Sequence, residues 1–236
     1  MRGVIARRLL VNFRVRPEAI ARFVPSPLRP LLVDGWAIAG VCLIRLERVR
    51  PAGLPAFLGF AAENAAHRIA VTWQDGMNAR TAVWIIRRDS DSPMVRWAGG
   101  RLFPGVHGRA DFRVSEGGAD LDLSVRGDRG MEVDVRGREC DALPEGSVFG
   151  DLDSASTFFA GGALGFSPGR SPGCCDALEL ACDRWRMRAL RVERVVSSFY
   201  QGLGAEFDSV LVMRDIHHRW LSRPSLQVAP GAVATF

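Results

Sequence analysis

The run ENAAHRIAV carries two groups that can move protons, Glu63 and His67. If the run is a strand, Glu63, Ala65, His67 and Ile69 share one face. A carboxylate and an imidazole then project from a surface that is otherwise small and apolar. Enclosed in a barrel, that carboxylate would be pushed towards the acid–base range by loss of water. On a rim it would instead pair with one of the many arginines. A second group lies in GGRLFPGVHGRADF, residues 99–112, where Arg101, His107 and Arg109 stand among glycines and a proline. A guanidinium fork holds a carboxylate bidentately, so Arg101 with His107 suits a small anion or a carbonyl. Loop packing is the competing reading. The expected site is thus Glu63 and His107 as catalytic acid–base groups, with Arg101 and His67 against the substrate.

Other motifs carry less. Residues 165–169 read GFSPG, the form of a hydrolase nucleophile elbow, but the residue after the serine is Pro168. The elbow needs a backbone N–H there, and proline has none; the segment otherwise reads as loop. His217-His218 would point to opposite faces of a strand, so they cannot share one ion from one face; they read as hydrogen-bonding groups at a strand end. Residues 161–165, GGALG, follow a helix instead of opening one, which removes a dinucleotide reading. Arg87 and Arg88 read as a solvated strand end. The cysteines, Cys42, Cys140, Cys174, Cys175 and Cys182, are odd in number with no CxxC spacing, and read as reduced thiols. No metal site and no cofactor is expected.

The elements that must hold these groups are mostly strands. Residues 4–15 alternate, and Pro17 opens a short helix with Glu18 at its positive end. A strand follows over residues 31–46, with a turn at Asp34-Gly35. Residues 61–73 and 79–88 form a hairpin around QDGMN. Three further strands lie near residues 109–115, 120–126 and 131–138. Asp153 or Ser154 caps a helix ending at Gly161-Gly162. A loop to Gly173 leads to strands near 177–186, 190–199 and 209–220. Many strands, few helices and no βαβ rhythm predict a mainly β (α+β) fold, an antiparallel barrel or sandwich, with one domain over residues 1–236.

The net charge is +5, yet all 31 basic residues are arginine and acids are interleaved throughout. With no basic block and no nucleic-acid motif, no nucleic-acid partner is expected. No apolar run approaches the roughly 20 residues that span a bilayer, and with no apolar h-region or small-residue cleavage site near residues 1–15 no secretory signal is expected. The expected setting is cytoplasmic, with a small-molecule ligand, no membrane partner, and a homo-oligomer allowed.

The segment VRPEAIARFVPSPLRPLLVDGWAIAGVCLI resembles the N-terminal pattern of the acetoacetate decarboxylase-like superfamily. Together with AAENAAHRIAV, AVWIIRRD, GGRLFPGVHGRADF and DSVLVMRDIHHRW it is similar to the uncharacterised family DUF2071 and its YqjF-like relatives, over nearly the whole chain. The resemblance implies a cone-shaped, mostly antiparallel β-barrel with an internal pocket. It also implies a Schiff-base lysine, which in the decarboxylases condenses with a ketone. Those lysine positions fall near Gly105 and Val106, and this sequence contains no lysine. Arginine cannot replace it, because its guanidinium stays protonated. The family's pocket glutamate lines up with Glu63, although Ala61 and Ala62 stand where it has Tyr-Thr. Its N-terminal pocket arginine falls within one position of Arg7, the third substrate-binding expectation. These features imply an acid–base enzyme of the lyase or isomerase type, acting on a small oxo or carboxylic acid, that is not a Schiff-base decarboxylase. The alternative is a non-catalytic ligand-binding barrel.

Overall fold

The protein's computed structural model describes residues 1–97 and 103–229. Strand β1 (Arg2–Val15) runs into helix α1 (Pro17–Ala21), which Pro17 opens. Two short strands, β2 (Arg29–Pro30) and β3 (Leu32–Val33), precede Asp34-Gly35. Both turn residues have positive φ, 47° and 78°, the backbone of a tight two-residue hairpin that leads into β4 (Trp36–Arg50). The next hairpin, β5 (Phe60–Asp75) and β6 (Asn78–Ser90), closes with Asp75 opposite Asn78 and Gly76 at φ 63°.

After α2 (Pro93–Trp97) comes an antiparallel meander, β7 (His107–Gly117), β8 (Asp120–Gly127) and β9 (Glu132–Cys140). Helix α3 (Leu152–Gly161) starts earlier than expected. Asp151 is its cap, with a carboxylate that accepts from the Ser154 N–H at 2.7 Å. The chain ends in β10 (Leu164–Pro168), β11 (Cys174–Cys182), β12 (Arg188–Ser197) and β13 (Glu206–Gln227). Two corrections follow. The GFSPG segment is largely strand, because β10 pairs parallel with β6 and antiparallel with β11. Strand β13 runs well past Trp220, because its second half pairs with β11; Pro224 falls where that register shifts.

The pairings trace two rings with a common wall, giving the mostly antiparallel, cone-like barrel architecture expected. One ring runs β13-β1-β4-β5-β6-β7-β8-β9-β12 and back to β13. The other runs β11-β10-β6-β5-β4-β1-β13 and back to β11. Strands β13, β1, β4, β5 and β6 therefore present one face to each compartment. Side-chain alternation sorts residues between them. Leu9, Val11, Leu43, Ile69 and Trp84 join Leu123, Val133 and Leu190 in the first core. Leu10, Cys42, Leu46, Leu211 and Met213 pack towards Phe159 of α3 on the other side.

The wall is pinned at its centre. The Tyr200 hydroxyl reaches in from the first compartment, 2.8 Å from the Gly40 carbonyl and 3.0 Å from that of Arg68. A Cβ on Gly40 would lie 2.1 Å from the Val11 carbonyl oxygen. Gly40→Ala is expected to cost about 1–3 kcal/mol by overpacking, read as a lowered melting temperature. An unchanged melting curve would contradict so close a β1–β4 approach.

Candidate functional site

In the second compartment lies a cavity of ≈ 120 Å³, comparable in size to an engineered cavity of about 150 Å³ that accepts benzene. Much of its wall is aliphatic, including Ile44, Leu46, Val83, Ile85, Leu178 and Leu180. Its polar side chains include Arg8, Asn64, Arg68, Arg88, Ser90 and His107; no Asp or Glu lines it among the described residues. Three guanidinium groups border one largely apolar space without a carboxylate.

The alternation of the shared wall accounts for this. Arg7 and Arg8 are consecutive on β1 and emerge on opposite faces. Arg7 meets Glu63 at 2.6 Å and Glu116 at 3.0 Å. Among the described residues Arg8 meets the Cys42 sulfur, 3.3 Å from its Nε, the Met213 sulfur at 3.9 Å, and the Trp185 ring. On β5, His67 faces the first compartment, stacked on Phe199 with its Nε2 3.3 Å from Asp89. Arg68 faces the cavity side: one Nη donates to Asn12, its guanidinium lies over the Phe159 ring, and its Nε and other Nη have no partner among the described residues. On β6, Arg87 clamps Asp89 at 2.6–3.1 Å. Arg88 donates to the Pro104 carbonyl at 2.9 Å and the Ser167 hydroxyl at 3.3 Å. The expectation of a solvated Arg87-Arg88 pair is therefore corrected: one locks a buried aspartate and the other lines the cavity. Burial pulls the Arg68 and Arg88 guanidinium pKa values down to about 10, which still leaves both charged at neutral pH.

His107, at the start of β7, lines the same cavity. Its Nε2 lies 2.9 Å from the Phe103 carbonyl. A carbonyl only accepts, so Nε2 carries the hydrogen and Nδ1 keeps its lone pair. That Nδ1 is buried without a partner among the described residues. Burial lowers the imidazole pKa, so the ring is neutral at neutral pH and able to take a proton.

Glu63 and His67 share a face, as their spacing implied. That face is the first compartment, whereas their neighbours Asn64 and Arg68 line the cavity. The structure thus places His107 on the cavity and Glu63 behind its wall, in an ion pair with Arg7. Burial raises the Glu63 carboxyl pKa, and the ion pair with Arg7 opposes part of that rise. Arg101 lies outside the described residues. Gly105, where the resemblance placed an amine, sits with φ 113° against Ser167, whose Cβ is 3.0 Å from where a Gly105 side chain would start. His217 is exposed and His218 is buried edge-to-face with Trp220, both inside β13 and not at a strand end. The residues that sequence reasoning missed are Arg8, Arg68 and Arg88.

The double-ring arrangement is the acetoacetate decarboxylase-like fold, which solved structures share. An acetoacetate decarboxylase-like enzyme from Sphingomonas wittichii RW1 superimposes with a TM-score of 0.60 at 16% identity, over 97% of this chain and 93% of the other. Acetoacetate decarboxylase from Legionella pneumophila gives 0.62 at 12% identity, over 99% and 88%. The enduracididine biosynthesis enzyme MppR complexed with pyruvate gives 0.53 at 13%, over 95% and 88%. No curated protein matches. The chain belongs to DUF2071, a family described as an uncharacterized conserved protein, whose profile matches residues 5–215.

Burial lowers the pKa of His67, His107 and His218 below the ordinary 6.5, the last to about 4. Below about pH 6.5 the unfolded chain therefore binds more protons than the folded one. Stability is full above that pH and is lost towards acid. Glu63 acts oppositely in its own window above 4.5, where its raised pKa lets the folded state take up a proton first. The melting temperature is expected to fall between about pH 7.5 and about pH 5. A flat profile over that range would contradict the burial of these imidazoles.

Proposed function

We propose that this protein binds a small oxo or carboxylic acid in the cavity and transforms it by proton transfer and electrostatic stabilisation, as a lyase- or isomerase-type enzyme that forms no imine with a lysine. The observation that carries the reading is that, among the described residues, three arginines and no carboxylate line the cavity. A buried cation without a counter-ion is costly, and an anionic ligand would supply the missing charge. Arg68, with two unpartnered nitrogens, anchors the carboxylate; Arg8 and Arg88 add positive potential. His107 is the group for proton transfer, because its Nδ1 lone pair is free. Glu63 acts from behind the wall by neutralising Arg7, which leaves the cavity arginines as its uncompensated charges. The pyruvate complex of MppR, a protein of the same fold, supports a short oxo acid as the ligand class.

A negative charge developing next to a bound carbonyl would be stabilised by the same guanidinium groups. This replaces the electron sink that an imine provides. The aliphatic lining favours a second reading, a non-catalytic barrel that holds an apolar acid.

Thermal melting tests the binding. Pyruvate and longer 2-oxo acids are expected to raise the melting temperature and their methyl esters are not. A ligand at 100 times its Kd adds about 2.7 kcal/mol of stability. Arg68→Met should remove the acid-dependent rise without unfolding the protein, and equal stabilisation by the esters would contradict the anion site. Proton transfer is read by NMR as deuterium exchange next to the ketone. Exchange by the native protein and its loss in His107→Gln, with the thermal shift kept, supports the enzyme. Binding without exchange supports the second reading.

A further inference from the structure

A second arginine cluster lies away from the cavity. Arg2 and Gly3 of β1, Arg48 and Arg50 of β4, and His217 and Arg219 of β13 line a cleft of ≈ 330 Å³. Asp183 is the acidic residue among its described lining. No carboxylate lies within ion-pair distance of any of these four arginines among the described residues. Their visible partners are backbone carbonyls: Arg2 and Arg50 both donate to the Leu54 carbonyl, at 3.3 and 2.9 Å, and Arg50 also donates to that of Arg48. The Nε of Arg2 is buried without a partner.

Those bonds tie the cleft to the loop that follows β4. Ala56 of the loop lines the cleft. The next two residues project outwards, Phe57 at 83% and Leu58 at 58% exposure, and Leu54 is exposed beside them. Large apolar side chains exposed together mark a contact surface. Here they stand beside a concentration of positive charge. A second copy of the chain fits poorly, because a two-fold contact would set the same arginines against each other.

We infer that the cleft of Arg2, Arg48, Arg50 and Arg219, with the Phe57-Leu58 loop, is a docking surface for an anionic phospholipid bilayer. The loop enters the interface and the arginines meet the headgroup phosphates, the usual division of labour in proteins that lie on a membrane. The sequence expectation of no membrane partner rested on the lack of a spanning segment, and no described helix is long and apolar enough to cross. Lying on a bilayer requires no such segment.

Co-sedimentation with vesicles of phosphatidylcholine and phosphatidylglycerol at about 3:1, in roughly 0.1 M salt, is the test. The protein should pellet with these vesicles, not with phosphatidylcholine alone, and should be released at about 1 M salt. Arg48→Gln with Arg219→Gln should weaken partitioning roughly 30-fold. Phe57→Ser with Leu58→Ser should weaken it while the melting temperature stays native. Three results would overturn the inference: no preference for anionic vesicles, partitioning unchanged in the Phe57/Leu58 variant, or a native dimer by light scattering that this variant turns into a monomer. A melting-temperature rise with inorganic phosphate and no vesicle binding would likewise assign the cleft to a free anion and end the lipid reading.

Discussion

An arginine that is buried without an anion is the constraint around which this molecule is arranged. A guanidinium does not shed its proton at neutral pH, so it cannot escape burial by becoming neutral. The wall shared by the two rings carries one buried arginine, Arg68, and two half-buried ones, Arg8 and Arg88, towards the cavity. Arg7 and Arg8, His67 and Arg68, Arg87 and Arg88 are consecutive pairs on three strands of that wall, β1, β5 and β6. The first of each meets an acid in the filled compartment: Glu63 and Glu116 for Arg7, Asp89 for His67 and Arg87. The second faces the cavity, with sulfur, amide, carbonyl and hydroxyl groups for company. One sheet thus separates a neutralised interior from a positive one. An unpaired buried charge costs several kcal/mol; Arg68 is buried and Arg8 and Arg88 are half-buried around the same cavity, so the chain has something to gain from a ligand that cancels their charge.

The remaining structure keeps that arrangement in place. Both rings pass through the same five strands, so those strands are hydrogen-bonded on each edge and held in register. Tyr200 ties the β4 and β5 backbones at Gly40 and Arg68, next to the guanidinium with unpartnered nitrogens. The aliphatic cavity lining lowers the local dielectric, which strengthens the field of the arginines on whatever enters. On the proposed function, the same field would stabilise a developing negative charge in a chain that has no lysine to form an imine.

Much of the fold was legible because it rests on local rules. Asp34-Gly35 and Asp75-Gly76 announce their hairpins through the positive φ those turns require, and the face shared by Glu63 and His67 follows from strand alternation alone. Alternation says which residues share a face, not which compartment that face will see. Glu63 and His67 drew attention as the proton-moving groups, while Arg8 and Arg68 were among many arginines, and nothing local marks an arginine as lacking an acid. Arg87-Arg88 looked like a solvated strand end because the parallel partners of β6, β7 and β10, come from far along the chain. The short strand at residues 164–168 and the Pro224-containing end of β13 have weak local signals and form only because the second ring closes through them.

The most direct measurement is a crystal structure of the protein grown with a short 2-oxo acid. The acid's carboxylate should lie in the cavity within hydrogen-bond distance of the Arg68 Nε or its unpartnered Nη, with its carbonyl carbon side towards His107 and no covalent bond to the chain. A cavity that stays empty at saturating acid, or an acid seated with its carboxylate away from all three arginines, would contradict the account.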